Sequence, residues 1–284
     1  MIHIVADGSV DMPPGWEQDY DIRIIPIPIE IGGRVYQQGV DLGPEEFYRL
    51  IREGNSFPKT SLPSVGQFVE FYRHIAAPGD IILSLHVGSR LSGTYGAAVQ
   101  AAESLAGYCQ VLPFDSMCGS AALGFMCREA RQLERAGASP QKILERLETV
   151  RPGIGIILIV DNLEFARRSG RIGALQAAMA SMLGIKPIIA LKDGQLEMVE
   201  KVRTRARSIR QAAELALKKA GDRWVHLAGV HSCDLQAARS LIEQIQSRCR
   251  CKETILTDLS ISVAAHLGPG TVGVVVYPAA EPGR

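Results

Sequence analysis

Short hydrophobic runs alternate with amphipathic segments along almost the whole chain. Ile2 to Ala6, Ile81 to Leu85 and Val111 to Phe114 are apolar runs of strand length. Between them lie segments with helical spacing, such as Pro44 to Glu53, where apolar residues recur at i, i+3 and i+4. This alternation predicts βαβ units and a largely parallel sheet in the first half of the chain.

Cap and turn residues mark where several elements begin and end. Ser64 precedes an aromatic helical stripe, and Ser139-Pro140 supplies a cap and a first-turn proline for another helix. Ile22 to Ile31 alternates with prolines, which predicts an edge strand or an extended segment, because proline cannot donate to the ladder of a central strand. Asp193-Gly194 is a hairpin-turn dipeptide between two apolar runs, so the second sheet is predicted to be mixed.

Length and one break predict two domains. The chain has 284 residues, and domains usually hold roughly 100–200 residues. Arg151-Pro152-Gly153 forms a break between the two halves. We therefore predict an α/β fold with two α/β domains, residues 1–152 and 153–280, with a largely parallel sheet in the first and a mixed sheet in the second. A helix from Leu175 to Leu183 is among the elements predicted for the second domain.

Composition and charge narrow the class of protein. Lys plus Arg number 31 and Asp plus Glu 30, and this net charge of +1 gives no sign of a nucleic-acid partner. The apolar runs are far shorter than the ~20 residues that a membrane-spanning helix needs, and the N-terminus lacks a signal-peptide pattern. Cys249-x-Cys251 is interpreted as structural, because no second pair of metal ligands lies nearby. These features predict a reduced, cytoplasmic protein without a metal or cofactor.

The segment Ser89-Arg90-Leu91-Ser92-Gly93-Thr94 carries the most informative chemistry. It follows a predicted buried strand and precedes an Ala-rich helix, which is where open α/β sheets bind ligands. Gly93 allows close approach to the backbone, the helix start favours an anion, and Ser92 and Thr94 add hydroxyl donors. The segment looks like a degraded P-loop without its lysine, which disfavours a nucleoside triphosphate. An ordinary capped helix start is an equally weighted alternative.

A second hydroxyl-rich segment is Lys59-Thr60-Ser61-Leu62-Pro63-Ser64. Pro63 extends the chain before it, and the following serine caps a helix, which leaves Thr60 and Ser61 available to a ligand. A plain loop and helix cap is the favoured interpretation of this segment alone.

His266 lies before a glycine-rich turn. It is either structural or a hydrogen-bond donor to an anionic headgroup, and the sequence favours the structural role. Gly268 to Gly273 matches the letters of the G-x-G-x-x-G dinucleotide pattern. The pattern here precedes a predicted strand instead of opening a helix after one, so we reject dinucleotide binding at this segment.

Arginines form two clusters: Arg167, Arg168 and Arg171, and Arg203, Arg205, Arg207 and Arg210. Such clusters are usually solvated faces, but they also suit a negatively charged partner surface or phosphate groups. The nucleophile elbow G-x-S-x-G and the zinc motif H-E-x-x-H are both missing. Ser92, His266 and Asp115 have the residue types of a hydrolase triad, but their spacing does not support one.

A series of segments, taken in order, resembles the DegV family of bacterial fatty-acid-binding proteins. They are Ile4-Val5-Ala6-Asp7 with Asp11, Thr60-Ser61-x-Pro63-Ser64, Leu91-Ser92-Gly93-Thr94-Tyr95, Asp115-Ser116, Gly170-Arg171-Ile172, Ile185-Lys186-Pro187, Lys201-Val202-Arg203-Thr204 and His266-x-Gly268-Pro269-Gly270. The resemblance spans residues 2–277. Each motif is weak alone, but the ordered set is specific.

The resemblance implies a two-domain α/β fold that buries a long-chain fatty acid in an apolar tunnel. By motif position, Thr60, Ser92 and His266 would hydrogen-bond the carboxylate. Gly93 would offer a backbone N–H, and Ser61 belongs to the same ligand-binding set.

The resemblance also implies a partner. Family members present the bound acid to a separate kinase subunit, which phosphorylates the carboxylate to an acyl phosphate. The chain itself is then a lipid-binding protein and not an enzyme. Arg171 and Arg203 match basic positions of the family that either support the site or face the partner.

The chain departs from the family pattern at three positions. Gly8 replaces a hydroxyl residue, Leu62 replaces a common glutamine, and Ser169 replaces a frequent glycine. These changes concern the surroundings of the headgroup and leave the predicted carboxylate-binding residues intact.

Two other functions compete with the lipid carrier. One is an independent enzyme, either a hydrolase that uses Ser92 and His266 or a nucleotide-dependent α/β enzyme. The other is a regulatory interaction module that uses the arginine clusters.

Overall fold

A computed structural model describes residues 1–54, 56–161, 163–171 and 185–281 of the chain. The chain folds into two compact units. The first comprises Met1–Arg151 with Ser260–Ser262, and the second comprises Pro152–Leu259 and the chain from Val263 onward. Among the described residues, no helix is both long and apolar enough to cross a membrane.

The first unit contains one parallel sheet and one small antiparallel sheet. Its strands are β1 (Ile2–Asp7), β2 (Ile22–Ile25), β3 (Pro28–Ile31), β4 (Arg34–Gln37), β5 (Lys59–Thr60), β6 (Ile81–His86) and β7 (Gln110–Asp115). The parallel sheet has the order β2-β1-β6-β7, and the antiparallel sheet has the order β4-β3-β5.

Helices cover both faces of the parallel sheet. They are α1 (Trp16–Asp19), α2 (Pro44–Gly54), α3 (Val65–Ile75), α4 (Thr94–Ser104), α5 (Ser120–Arg135) and α6 (Pro140–Val150). Phe68 of α3 and Ala98 of α4 belong to one core cluster with Val5 and Ile82 of the sheet. Helix α5 is buried along nearly its whole length, because it packs on β1 and β6 and carries α6 on its outer side.

Two of the predicted helix starts are confirmed. The hydroxyl of Ser64 accepts a hydrogen bond from Gln67 N, and the Gln67 side chain accepts one from Ser64 N, which makes a complete capping box. Ser139 caps α6, and Pro140 is its first residue.

The second unit is built on one mixed sheet. Its strands are β8 (Gly155–Ile159), β9 (Lys186–Lys192), β10 (Gln195–Val202), β11 (Trp224–His231), β12 (Arg250–Asp258) and β13 (Val272–Pro278). Its helices are α7 (Leu163–Ser169), α8 (Arg205–Ala220), α9 (Leu235–Gln246) and, from Val263 onward, α10 (Ile261–Leu267). The strand order is β10-β9-β8-β13-β11-β12; among the described residues of this sheet, β11 and β12 pair in parallel and the other neighbours pair antiparallel. Helices α8 and α9 bury an alanine-rich face against β8, β11 and β13.

The predicted fold class is confirmed: the chain is an α/β protein with a parallel sheet in the first unit and a mixed sheet in the second. The hairpin at Asp193-Gly194 is confirmed by the antiparallel pairing of β9 and β10. The predicted helix from Leu175 to Leu183 lies outside the described residues. Ile22 to Ile31 forms two strands in different sheets, with Pro26, which has no N–H to donate, between them and Pro28 as the first residue of β3.

Candidate ligand-binding site

The strand order of the first unit creates a switch point between β1 and β6. The chain leaves β1 toward β2 on one side and later enters β6 on the other side. The loops that follow these two neighbouring strands therefore diverge, and open α/β sheets bind ligands in the crevice that results. The loop after β1 begins at Gly8, and the loop after β6 begins at Val87.

Ser92 and Gly93 lie at the end of the β6–α4 loop, as predicted. The N–H groups of Leu91 and Ser92 donate to Gly88 O at 2.8 and 3.1 Å, which forms the turn. Gly93 is exposed and is the N-cap residue of α4. Thr94 is fully buried and its hydroxyl lies 2.8 Å from Ser92 Oγ, so it orients Ser92 instead of facing a ligand.

The segment that contains Thr60 lies next to the end of the β6–α4 loop. Thr60 ends β5, where it pairs with Ile29, and Ser61 N donates to Pro28 O at 3.0 Å. The next residue, Leu62, carries its Cδ2 atom to 3.0 Å from the point that a Cβ on Gly93 would occupy. The two hydroxyl-rich segments predicted from the sequence therefore adjoin each other beside the switch point.

The loop between β7 and α5 is hydrogen-bonded to the loop that carries Ser92 and braces it. Gly88 N donates to Cys118 O at 2.7 Å, and Ser89 N donates to Asp115 Oδ1 at 3.1 Å. Asp115 Oδ1 also accepts from Met117 N at 2.9 Å. The carboxylate that was considered as a triad acid is therefore a brace between two loops.

Asp7, at the end of β1, belongs to the first of the family motifs, but its role was not predicted from the sequence. Its Oδ1 accepts hydrogen bonds from the N–H and the hydroxyl of Ser9 at 3.0 and 2.5 Å. Its Oδ2 accepts from Val87 N at 2.8 Å and contacts His86 Nδ1 at 3.1 Å. Burial opposes ionisation, but the hydrogen bond and charge of His86, together with the bonds from Ser9 and Val87, hold the pKa of Asp7 below its usual value.

The network continues away from Asp7 into the core. His86 Nε2 lies 2.8 Å from Ser84 Oγ, which lies 2.8 Å from the Tyr72 hydroxyl. Because an ionised Asp7 only accepts, His86 Nδ1 donates to it. Ser84, His86 and Asp7 thus have the connectivity of a serine-hydrolase triad, yet all three side chains are fully buried. A substrate cannot reach Ser84, so the network is structural. The signal for it was two polar residues, Ser84 and His86, within an otherwise apolar strand.

The second unit holds His266 at the end of α10. Burial first, and then the nearby Arg171 guanidinium, lower the pKa of His266 to about 4. The ring is therefore neutral at pH 7 and able to donate one hydrogen bond. Arg171 itself is exposed and donates to Ser169 O at 2.5 Å.

The glycine-rich turn after His266 leads into β13, so its backbone serves the turn and not a dinucleotide. Gly268 and Gly270 both have positive φ, 82° and 79°, which suits glycine. Gly270 O accepts from Arg205 Nη2 at 2.9 Å, and Arg205 also pairs with Asp234 at 2.6 Å.

Arg203 is exposed and follows β10 directly. Because β8 and β10 both run antiparallel to β9, and β13 antiparallel to β8, the end of β10 and the start of β13 share one edge of the sheet. Arg203 therefore lies at the same edge as the turn that follows His266. The described residues contain no cluster of three or more His, Cys, Asp or Glu side chains suited to a metal ion.

Comparisons with known proteins agree on one family. Residues 1–279 match the family described as "Uncharacterised protein, DegV family". A DegV domain-containing protein of Streptomyces coelicolor is 33% identical over 281 residues, covering 97% of this chain and 98% of the relative. A solved structure described as fatty acid binding of a DegV family protein from Thermus thermophilus has a TM-score of 0.88, 30% identity, and coverage of 98% of this chain and 99% of that one. DegV of Bacillus subtilis, described as a fatty acid binding protein, has a TM-score of 0.86, 27% identity, and coverage of 98% and 99%.

Proposed function

This chain belongs to the DegV family, and from that premise we propose that it binds a long-chain fatty acid. The observation that carries the proposal is the convergence of the Thr60 and Ser92 segments beside the switch point of the first unit. Fatty-acid binding by the Thermus thermophilus and Bacillus subtilis proteins, at 30% and 27% identity, supports it.

The headgroup chemistry fits a carboxylate. Ser92 and Thr60 offer hydroxyl donors, and Ser61 follows Thr60 as an exposed residue of the loop after β5. Gly93 opens α4, whose first N–H groups and positive dipole end favour an anion. The absence of a side chain at Gly93 lets a carboxylate oxygen approach the backbone. We assign these four residues to the headgroup.

His266 keeps its assignment as a headgroup donor on the strength of the family motif. Its pKa of about 4 means that it would contribute a hydrogen bond and no positive charge at pH 7. A headgroup site that relies on neutral donors orients the fatty acid, while burial of the acyl chain provides most of the affinity. At ~0.8 kcal/mol per buried methylene, a sixteen-carbon chain gains on the order of 10 kcal/mol before entropic losses.

We further propose that the chain presents its fatty acid to a separate kinase subunit and does not turn it over alone. Arg171 and Arg203 are exposed, and both are the partner-facing candidates. Their guanidinium groups suit an acidic surface or the phosphates of the phosphoryl donor. The buried state of Ser84 and the bracing role of Asp115 both argue against an independent hydrolase.

The first test is mass spectrometry of lipid extracted from the purified protein. We expect stoichiometric fatty acid in the wild type and much less in a Ser92→Ala, His266→Ala variant. Ser104→Ala is the matched control for the serine change, because Ser104 ends α4, the helix that Ser92 precedes, and its hydroxyl donates to Gln100 O within that helix. A folded wild type that carries no fatty acid, and binds none when it is added, would refute the carrier function.

A second assay separates the carrier from the enzyme. The purified chain is incubated with acyl esters and, separately, with ATP and fatty acid, and products are followed by chromatography. We expect no product from the chain alone. Turnover that disappears in Ser92→Ala would instead establish the independent enzyme.

A further inference from the structure

Asp7 is connected to Ser92 through a short series of backbone contacts. Val87, whose N–H is held by Asp7 at 2.8 Å, begins the loop that ends at Ser92. The next residue, Gly88, provides the carbonyl that accepts from both Leu91 N and Ser92 N. The turn that aims the Ser92 hydroxyl is therefore built directly on the residue that follows the Asp7 contact.

The Asp7 carboxylate is hydrogen-bonded to both loops that flank the switch point. Oδ1 is used by Ser9, in the loop after β1, and Oδ2 is used by Val87, in the loop after β6. The side chain of Asp7 is fully buried, and His86 fixes its orientation from within the sheet. A buried carboxylate with all of these bonds is held in one plane, because turning it out of that plane leaves a donor without its acceptor.

We propose that Asp7 is a positioning residue for carboxylate recognition: it sets the place of the Ser92 hydroxyl and thereby the preference for a fatty acid over an uncharged lipid of the same length. The inference rests on the proposed function. Hydrogen bonds to a carboxylate are directional, whereas burial of the acyl chain is not. A displaced Ser92 loop therefore weakens binding of the acid and leaves the apolar contribution of the chain unchanged.

The test compares two ligands that differ only in the headgroup. Delipidated protein is titrated with palmitic acid and with hexadecan-1-ol by competition against a fluorescent fatty acid, for wild type, Asp7→Asn and Asp80→Asn. Asp80 is the matched control. It accepts from His3 Nε2 at 3.0 Å and from Ala77 N at 2.9 Å, but it precedes β6 and so lies at the opposite end of the same strands.

In Asp7→Asn we expect the affinity for palmitic acid to fall about tenfold, the equivalent of one hydrogen bond to a charged group. The affinity for hexadecan-1-ol should change by less than about threefold, because the acyl chain contacts are kept. Asp80→Asn should leave the ratio of the two affinities unchanged. An unchanged ratio in folded Asp7→Asn, or an equal loss for both ligands, overturns the inference while the proposed function stands. A wild type that binds neither ligand overturns both.

If Asp7→Asn does not fold, Ser9→Ala tests the positioning role of Asp7 instead. This change removes the 2.5 Å hydroxyl bond to Oδ1 and keeps the charge of Asp7. We expect a loss of several-fold in palmitic acid affinity alone, since one of the bonds that orient the carboxylate is gone. Equal affinities to wild type for both ligands would refute the positioning role.

Discussion

Gly88→Ala is expected to destabilise the first unit through a backbone collision. A Cβ at Gly88 would lie 3.0 Å from the carbonyl carbon of Met117, 3.1 Å from its Cα and 3.2 Å from Cys118 N. These atoms belong to the backbone of the bracing loop and cannot rotate away as the end of a side chain can. Relief requires the β6–α4 loop or the β7–α5 loop to move by a few tenths of an ångström.

The expected cost is about 1–3 kcal/mol, the usual penalty for an extra methyl group in a packed site. For a unit of this size, each kcal/mol lowers the midpoint of thermal unfolding by roughly 2–4 °C. Because the β6–α4 loop carries Ser92 and is hydrogen-bonded to the β7–α5 loop, a shift of either loop should also weaken fatty-acid binding. Thermal unfolding by circular dichroism, with and without added palmitic acid, measures both effects.

Two glycines on the same segment serve as controls. At Gly96, inside α4, a Cβ meets nothing within 4 Å, so alanine should stabilise by about 0.5–1 kcal/mol through helix propensity. At Gly93, the Cβ would meet only the Cδ2 end of Leu62 at 3.0 Å, which can turn aside at little cost in stability. Equal stability of Gly88→Ala and Gly96→Ala would show that the loop contact is not tight and would refute the predicted collision.

Single substitutions at His266, Arg131 and Gly8 test three other features of the structure. In the folded protein the pKa of His266 is about 4, against an ordinary value of ~6.5. Its contribution to the free energy of unfolding is therefore full above pH ~6.5 and is lost as the pH falls toward 4. His266→Asn should flatten this decline in denaturant titrations. Arg131→Ala should cost about 3 kcal/mol, because the buried guanidinium donates to three backbone carbonyls, whereas Arg135→Ala, at the exposed end of the same helix, should cost under about 1 kcal/mol in the same assay. Gly8→Ser should destabilise, because its Cβ would lie 2.8 Å from Gln38 Oε1 and moving that amide would break the hydrogen bond from Gln38 Nε2 to Gly8 O at 2.7 Å; Gln38→Ser should restore part of the loss in a double-mutant cycle.

Elements with local signals were predicted well from the sequence. Ser64 and Ser139 cap helices because their side chains satisfy N–H groups only three residues away, and such short-range chemistry is visible in the sequence. Strand β12 (Arg250–Asp258) was missed. It is an edge strand with charged residues along much of its length, so it lacks the apolar run that marks a buried strand. Its place in the sheet depends on pairing with β11, which is a long-range contact.

In the candidate site, too, local features were predicted from the sequence and long-range contacts were not. The presence of Ser92 and Gly93 at a strand-to-helix turn was predicted, since the turn is local. The approach of Leu62 to Gly93 joins segments about thirty residues apart in sequence, so only the fold reveals it. That contact also gives a physical meaning to the departure of Leu62 from the family pattern. A partly exposed apolar side chain there covers the helix start on which the proposed headgroup rests.

The Asp7 network shows why connectivity alone does not identify a catalytic site. Carboxylate, imidazole and hydroxyl are linked in the order that serine hydrolases use, with distances of 3.1 and 2.8 Å. Catalysis also needs a nucleophile that a substrate can reach, and Ser84 is fully buried with Tyr72 hydrogen-bonded to it. The same burial allows Asp7 to hold the neighbouring loops in place. A charge that is shielded from water and held by Ser9 and His86 cannot reorient, so it fixes the two loops that frame the proposed ligand site.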